Sequence, residues 1–119
     1  MIFENIQSFI LPLIIILFFG YRFYRFKFIK NKLPQLLTEG AIILDVRSKG
    51  EFAQGHNPES INIPLDELNS ESNRLDKSKV ILVCCASGTR SAMAVGILKK
   101  NGFSNVMNAG TWSNTLSTT

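Results

Sequence analysis

Residues 79–90 read KVILVCCASGTR, and this stretch decides the fold class. Its first half is a wholly apolar run bounded by charge, which is typical of a strand buried on both faces of a parallel sheet. Residues 91–102, SAMAVGILKKNG, predict an amphipathic helix that ends at Gly102. We expect the core-facing residues of this helix to be Ala92, Val95, Ile97 and Leu98. A strand that passes through a short loop into a helix is the repeating unit of α/β domains.

Further strands and helical patterns alternate along residues 33–119. Apolar runs of strand length are found at 41–46, 60–65 and 105–107. Because helical patterns separate these runs, the strands are expected to pair in parallel. The sequence therefore predicts an α/β domain with a central parallel sheet of four or five short strands, flanked by helices.

Two short helical segments and a frayed C-terminal tail are also predicted. A helix is predicted for LPQLL, residues 33–37, because Pro34 suits its first turn and Gly40 its end. A second helical turn is predicted over 48–55, where Ser48 is the capping residue. The polar tail after residue 112 is expected to be frayed.

The first 32 residues differ in composition from the rest. Residues 5–21 contain no formal charge, and as a helix they rise about 25 Å, at the short end of what spans a hydrocarbon core of about 30 Å. Residues 21–32, YRFYRFKFIKNK, combine aromatic and basic side chains that suit the headgroup region. A signal peptide needs basic residues before its apolar run and an A-x-A-like cleavage site after it, and this run has neither. We therefore expect a single-pass transmembrane anchor with a basic juxtamembrane segment at 1–32 and one domain at 33–119.

The charge distribution predicts the orientation of this anchor across the membrane. Five basic residues and one acidic residue precede residue 33, so the whole formal charge of +4 lies there, while residues 33–119 contain eight of each sign. The positive-inside rule then places the domain in the cytoplasm, beside the membrane. A domain without a basic excess lacks the footprint that nucleic acid requires, so no nucleic-acid partner is expected.

Cysteine and histidine counts argue against metal and disulfide chemistry. The chain has two adjacent cysteines, Cys84 and Cys85, and one histidine, His56, which is too few for a zinc site at any usual spacing. Adjacent Cα atoms are about 3.8 Å apart, closer than a relaxed disulfide prefers. No metal or organic cofactor is expected, and a reducing cytoplasm would keep both thiols free.

The loop CASGTR, residues 85–90, joins the strongest strand to the helix. In open α/β sheets, ligands bind beyond the carboxyl ends of the strands. A turn into a helix directs backbone N–H groups into a concavity, which favours a thiolate and lowers the pKa of Cys85 from about 8.5. Gly88 permits the tight backbone, and Arg90 supplies a planar cation for an anionic substrate. These residue types indicate covalent chemistry on an anionic sulfur or phosphorus compound.

This loop resembles the active-site loop of rhodanese-like (sulfurtransferase) domains. Two more segments are similar to that family: AIILDVRSKGEFAQGHNPESINIPL at 41–65 and GFSNVMNAGTW at 102–112. The resemblance covers nearly all of residues 33–112. It implies a central parallel sheet and a cysteine that accepts a sulfane sulfur as a persulfide. It also implies a small anionic donor such as thiosulfate, and cyanide or a thiol as acceptor.

The family's spacing suggests which residues act. From Cys85 the sequence reads C-x-x-G-x-R, the sulfurtransferase spacing, with Gly88 and Arg90 in place. The resemblance implies that Cys85 is the nucleophile and that the loop after it binds the substrate. The expected substrate-binding residues are Ala86, Ser87, Gly88, Thr89 and Arg90.

Outside the loop, the chain partly follows the family. Asp45, Arg47 and His56 match its pattern and are expected to support the site structurally, and Glu51 matches as well. After His56 the family usually has an apolar residue and a Gly-Ala pair, where this chain has Asn57, Glu59 and Ser60. The closing segment also lacks a doubled glycine and a full terminal helix. These departures concern the rim of the site and therefore its specificity.

Two other functions fit the same residues. From Cys84 the sequence reads C-x5-R, the spacing of tyrosine-phosphatase-type loops, which leaves room for phosphate or arsenate. A phosphatase or arsenate reductase using Cys84 is therefore an alternative, although such a loop would have glycine where Ser87 stands. A non-catalytic docking module at the membrane is the other, and the intact Cys, Gly and Arg argue against it.

Overall fold

The structure, a computed structural model, describes the backbone of residues 2–116 and the side chains of that range except 2–7, 26, 29 and 30. Helices and strands alternate as an α/β fold requires. In chain order they are α1 (Ile2–Thr38), β1 (Ile42–Asp45), α2 (Lys49–Gln54), β2 (Ile61–Asn62), α3 (Leu65–Glu71), a 3₁₀ turn (Ser72–Arg74), β3 (Ile81–Cys85), α4 (Thr89–Lys100), β4 (Val106–Thr111) and α5 (Ser113–Leu116).

One parallel sheet forms the centre of the domain. Its strands lie in the order β2-β1-β3-β4, and each neighbouring pair is parallel. Every residue of β3 is buried, as its uninterrupted apolar sequence predicts. The predicted α/β fold with four or five short parallel strands is confirmed, with four strands in the described part of the chain.

Two apolar clusters cover the two faces of the sheet. One cluster joins the strands to α3 and α4 and includes Val83, Cys85 and Leu98. The other joins them to the end of α1 and includes Leu33 and Cys84. Because successive side chains of a strand point to opposite faces, the two adjacent cysteines belong to different layers.

The helix predicted over residues 33–37 is instead the last part of α1, which runs unbroken from Ile2 to Thr38. Proline removes one helical hydrogen bond, but burial of the apolar side chains around it keeps this turn in place: Leu33 is fully buried and packs with Leu36 against the sheet. The predicted end is confirmed, since Gly40 adopts φ +94° and the chain turns back into β1.

Within α1, one window is long and apolar enough to cross a membrane. Residues Ser8–Arg25 have a mean hydropathy of 1.5, and none of this window is buried in the structure. The boundary expected between residues 32 and 33 falls inside the same continuous helix. The predicted anchor and the domain are therefore joined by helix rather than by a loop.

Two details of the second half differ from expectation. Helix α4 begins at Thr89, so its core-facing side includes Ser91 and Ala94, while Ala92, expected in the core, is exposed. The predicted packing of Leu98 is confirmed.

The tail after Trp112 was expected to be frayed, and this is wrong for 113–116. These residues form α5, because Thr115 is fully buried and hydrogen-bonded to Asn57. Residues 117–119 lie outside the described residues.

Candidate active site

The candidate site lies where β3 passes into α4. Strand β3 ends at Cys85, and α4 begins only four residues later. Gly88, at the N-terminal boundary of α4, adopts φ +94°. This left-handed conformation strains any side chain, so glycine is required for the turn to be this short.

The sulfur of Cys85 lies among the hydrogen-bond donors of this turn. The backbone N–H of Gly88 donates to Sγ at 2.9 Å, and that of Ser91 at 3.4 Å. The hydroxyl of Ser91 is 3.5 Å from the same sulfur. Burial raises the pKa of the Cys85 thiol, but the hydrogen bonds with Ser91 and those from the loop amides outweigh it, so the pKa lies below its ordinary value. The turn is therefore built to hold a thiolate.

The thiol is closed off from solvent in this structure. Cys85 has 0% exposure, whereas Ala86, Ser87 and Thr89 are exposed above it. Of the predicted substrate-binding residues, Gly88 therefore contributes its N–H to the sulfur, while the side chains of Ala86, Ser87 and Thr89 form the outer surface of the loop. Because Cys85 is fully buried, a ligand can reach Sγ only when this loop moves.

Arg90 is engaged by an internal carboxylate. Its two terminal nitrogens donate to the two carboxylate oxygens of Glu51, at 2.6 and 2.9 Å. The hydrogen bonds from Arg90, and secondarily those from Ser48, lower the pKa of Glu51 to about 2. Glu51 also completes a capping box with Ser48 at the start of α2. The guanidinium expected to bind an anionic substrate is thus paired with a carboxylate that an anion must displace.

Beside this pair, Asp45 and Arg47 form a buried ion pair. Arg47 donates to both carboxylate oxygens of Asp45, at 2.8–3.0 Å, and both side chains are almost fully buried. The guanidinium also donates to the carbonyl of Gly55, at 2.7 Å, beyond the end of α2. This pair fixes α2, and with it Glu51, against the carboxyl end of the sheet.

A cleft of about 310 Å³ opens next to the loop. Its lining consists of Arg47, Glu51, Gln54, Gly55 and Trp112. The guanidinium of Arg47 lies 4.7 Å from the centre of the Trp112 ring. Since the N–H of Trp112 donates to the carbonyl of Cys85 at 2.8 Å, the cleft directly adjoins the cysteine loop.

Sequence reasoning missed two residues that support the sulfur. The hydroxyl of Ser91 donates to Asn108 Oδ1 at 2.6 Å, and the amide of Asn108 donates to the carbonyl of Gly88 at 3.2 Å. A polar residue on the core side of an amphipathic helix, and another inside a short strand, were the available signals. Their partners become visible only once the helix and strand are packed.

The remaining predicted residues lie away from the thiol. Cys84 faces the other layer, and burial, followed by the charge of Asp45, raises the pKa of its thiol. His56 is exposed, stacks on Phe52 and contacts the Phe52 carbonyl through Nδ1 at 2.7 Å. No group of three or more His, Cys, Asp or Glu side chains able to hold a metal is found among the described residues.

Comparison with known families supports the resemblance noted from the loop. The model of the family described as "Rhodanese-like domain" matches residues 30–111. That range contains the whole sheet and the cysteine loop.

Curated relatives point the same way. The chain is 41% identical over 70 residues to the "Putative sulfur carrier protein YrkF" of Bacillus subtilis and 30% identical over 71 residues to a "Sulfurtransferase" of Allochromatium vinosum. These alignments cover 59% and 60% of this chain. The chain spans only 38% and 66% of those relatives, less than two thirds of each.

Solved structures share the fold. The human single-domain sulfurtransferase TSTD1 matches with a TM-score of 0.61 and 29% identity, over 73% of this chain and 91% of its own. A structure titled "rhodanese with anions from E. coli" matches with a TM-score of 0.59 and 32% identity, over 63% and 91%. A rhodanese-like domain protein of Staphylococcus aureus matches at 0.63 and 32%, over 72% and 86%.

Proposed function

The chain belongs to the rhodanese-like domain family, and we propose that it is a sulfurtransferase in which Cys85 carries a sulfane sulfur as a persulfide. The observation that carries the proposal is the 2.9 Å hydrogen bond from the Gly88 N–H to Cys85 Sγ, made inside a turn that also brings Ser91 to the same sulfur. The relatives named as sulfurtransferases, and the E. coli rhodanese solved with anions, support the same chemistry.

In the first half-reaction the Cys85 thiolate attacks the outer sulfur of thiosulfate. A new S–S bond forms to Cys85, the S–S bond of thiosulfate breaks, and sulfite leaves with the electron pair. Arg90 binds the anionic donor after its carboxylate partner Glu51 is displaced. The N–H groups of Gly88 and Ser91 then stabilise the charge of the bound persulfide.

In the second half-reaction an acceptor removes the outer sulfur. Cyanide or a thiolate attacks it, the Cys85 S–S bond breaks, and the electron pair returns to Cys85 as thiolate. The products are thiocyanate or the acceptor's own persulfide. The backbone N–H groups of the turn, that of Gly88 among them, also assist this step, because they stabilise the Cys85 thiolate as the leaving group. No proton has to be supplied by His56, which is exposed and stacked on Phe52.

The proposal also includes membrane attachment. The Ser8–Arg25 window would span the bilayer, and the basic residues after it would place the domain on the cytoplasmic side. The support is the exposure of this apolar helix, which no described part of the domain covers.

The test is thiocyanate formation from thiosulfate and cyanide by the full chain in detergent. We expect Cys85→Ala to abolish the activity and to remove the sulfur adduct seen by mass spectrometry after thiosulfate. The matched control, Cys84→Ala, changes a thiol of the other layer and should keep most of the activity.

Activity that survives Cys85→Ala would overturn the assignment. Hydrolysis of an aryl phosphate that depends on Cys84 would establish the phosphatase alternative instead. If the wild-type chain is folded but forms no sulfur adduct, the non-catalytic docking module becomes the favoured alternative.

A further inference from the structure

The direction of α1 relative to the sheet determines which side of the domain faces the helix's apolar end. The end of α1, at Thr38, turns through Gly40 into the start of β1, so α1 and the strands run in opposite directions. Helix α1 packs against β4 and also against α5, which follows the carboxyl end of β4. Traced back from Leu33, α1 therefore leaves the domain at the carboxyl edge of the sheet. That edge carries the Cys85 loop and the cleft at Trp112.

Charge is distributed unevenly along the carboxyl edge itself. Residues 101–119 contain no charged side chain, and they include the end of β4 and all of α5, on the side from which α1 departs. The charged residues of this edge, among them Lys49, Glu51 and Arg90, belong to α2 and α4 instead. An uncharged surface can approach lipid headgroups without losing the hydration of ionic groups.

The helix also limits how far the site stands from the apolar window. From Arg25, the last residue of the window, to Leu33 the helix rises about 12 Å. Leu33 lies in the same buried cluster as Cys84, next to the nucleophile. This gap of about 12 Å between Leu33 and the window is narrower than a small folded domain, which is about 30 Å across.

We propose that the mouth of the Cys85 site faces the bilayer and that its sulfur acceptor is a thiol fixed at the headgroup level of the same membrane. This inference rests on the proposed sulfurtransferase activity and anchor. A thiol embedded in the membrane can enter this gap from the bilayer side. A folded soluble protein is too large to enter it. The thiolate attacks the outer sulfur of the Cys85 persulfide, the Cys85 S–S bond breaks, and the electron pair returns to Cys85.

The first test measures position. Trp112 is the chain's single tryptophan and lines the cleft, so its fluorescence reports the distance of the site from the membrane. The full chain is reconstituted in vesicles with a dansyl-labelled headgroup lipid, and energy transfer from Trp112 is measured. The control is Trp112→Phe combined with Lys79→Trp, which moves the donor to the exposed opposite edge. We expect several-fold greater transfer from position 112, and equal or reversed transfer would overturn the proposal.

The second test measures sulfur delivery. The Cys85 persulfide is formed with thiosulfate in vesicles, excess donor is removed, and loss of the adduct is followed by mass spectrometry. Two acceptors are compared: phosphatidylthioethanol, a lipid with a headgroup thiol, in the same vesicles, and a small folded protein with one exposed cysteine in solution. We expect the lipid thiol to remove the sulfur at least tenfold faster.

A matched variant separates position from chemistry. Seven alanines inserted between Arg25 and Phe26 lift the domain by about 10 Å and turn it by only about 20°. The preference should then shift toward the soluble protein thiol, while thiocyanate formation in detergent stays unchanged. A preference unaffected by the insertion, or a faster soluble protein thiol in the wild type, overturns this inference alone. If the full chain forms no thiocyanate in detergent, the proposed function is overturned instead.

Discussion

At the scale of single residues, two neighbouring thiols acquire opposite ionisation behaviour. Burial raises the pKa of Cys84, which packs beneath α1, whereas hydrogen bonds from the turn lower the pKa of Cys85 despite its burial. The difference arises because adjacent strand residues point to opposite faces and only one face leads into the turn. The thiolate form of Cys85 is therefore favoured at a lower pH than for an ordinary cysteine, and the first half-reaction should slow as the pH falls through that pKa.

Removing the Ser91 hydroxyl should weaken this effect. In Ser91→Ala the backbone N–H still donates to the sulfur, but the hydroxyl 3.5 Å away is lost. We expect the acid limb of the pH–rate profile for adduct formation to move to higher pH, with a rate at acidic pH reduced on the order of tenfold, the effect of about 1.4 kcal/mol. Ser87→Ala, which removes an exposed hydroxyl of the same loop, is the control and should leave the profile in place.

Glu51 should set the affinity for the anionic donor. Glu51→Gln keeps a side chain that can cap α2 but removes the negative charge paired with Arg90. Because the donor no longer has to displace a carboxylate, the KM for thiosulfate should fall several-fold with little change in kcat. Glu67→Gln, which changes a half-exposed carboxylate on α3 away from Arg90, is the control. A raised KM in the Glu51 variant would instead show that the carboxylate positions Arg90 for the donor.

Spacing along the chain could predict the loop but not its supports. The C-x-x-G-x-R pattern indicated Cys85, Gly88 and Arg90 because these residues lie within one continuous turn. The pairing of Arg90 with Glu51 joins residues 39 positions apart and depends on how α2 packs beside the sheet. Contacts of this kind follow from tertiary structure and cannot be predicted from local pattern.

At the scale of elements, the two departures from the family pattern lie against each other. Asn57 stands where the family usually has an apolar residue, and it is buried with its amide donating to Thr115 of the short helix α5. Its side-chain oxygen accepts from the Glu59 N–H at 3.0 Å. A polar residue at 57 thus gives the shortened C-terminal segment a fixed contact. Composition alone indicated a loose tail because it could not show this distant partner.

This contact should contribute measurably to stability. We expect Asn57→Ala to lower the free energy of unfolding by about 1–3 kcal/mol, since buried polar groups lose their partner. The measurement is urea unfolding of the full chain in mild detergent, followed by the fluorescence of Trp112. Glu59→Gln is the matched control, because the hydrogen bond to Asn57 uses the backbone N–H and not the carboxylate. Equal stability of the two variants would contradict the role given to Asn57.

At the scale of the whole molecule, one helix joins an uncovered apolar region to the core of the domain. Its Ser8–Arg25 window is apolar and uncovered, and its last turns, from Leu33, are part of the domain core. The uneven charge along the sequence distinguishes these two regions by composition. It could not show that the backbone is helical across residues 32 and 33, because Pro34 resembles a helix start.

The proposed anchor can be tested by charge. Ile14→Arg with Ile16→Arg places two charges in the middle of the window, at a cost of insertion of about 5–7 kcal/mol. We expect the variant to move from the membrane pellet to the supernatant after a high-salt wash. Met93→Arg, on the exposed side of α4, adds a charge outside the window and should stay with the membrane. A double variant that remains in the pellet would contradict membrane spanning.

The separation of the two cysteines into opposite layers also bears on how long a sulfur stays on the protein. Many thiol enzymes discharge an oxidised sulfur by means of a second, resolving cysteine that closes an internal disulfide. Here Cys84 is the nearest thiol in sequence, yet the sheet stands between its side chain and the turn that holds Cys85. In the proposed sulfurtransferase, Cys84 therefore cannot discharge the Cys85 persulfide, and an external acceptor has to do so. The lifetime of the persulfide is then set by how often an external acceptor reaches the site.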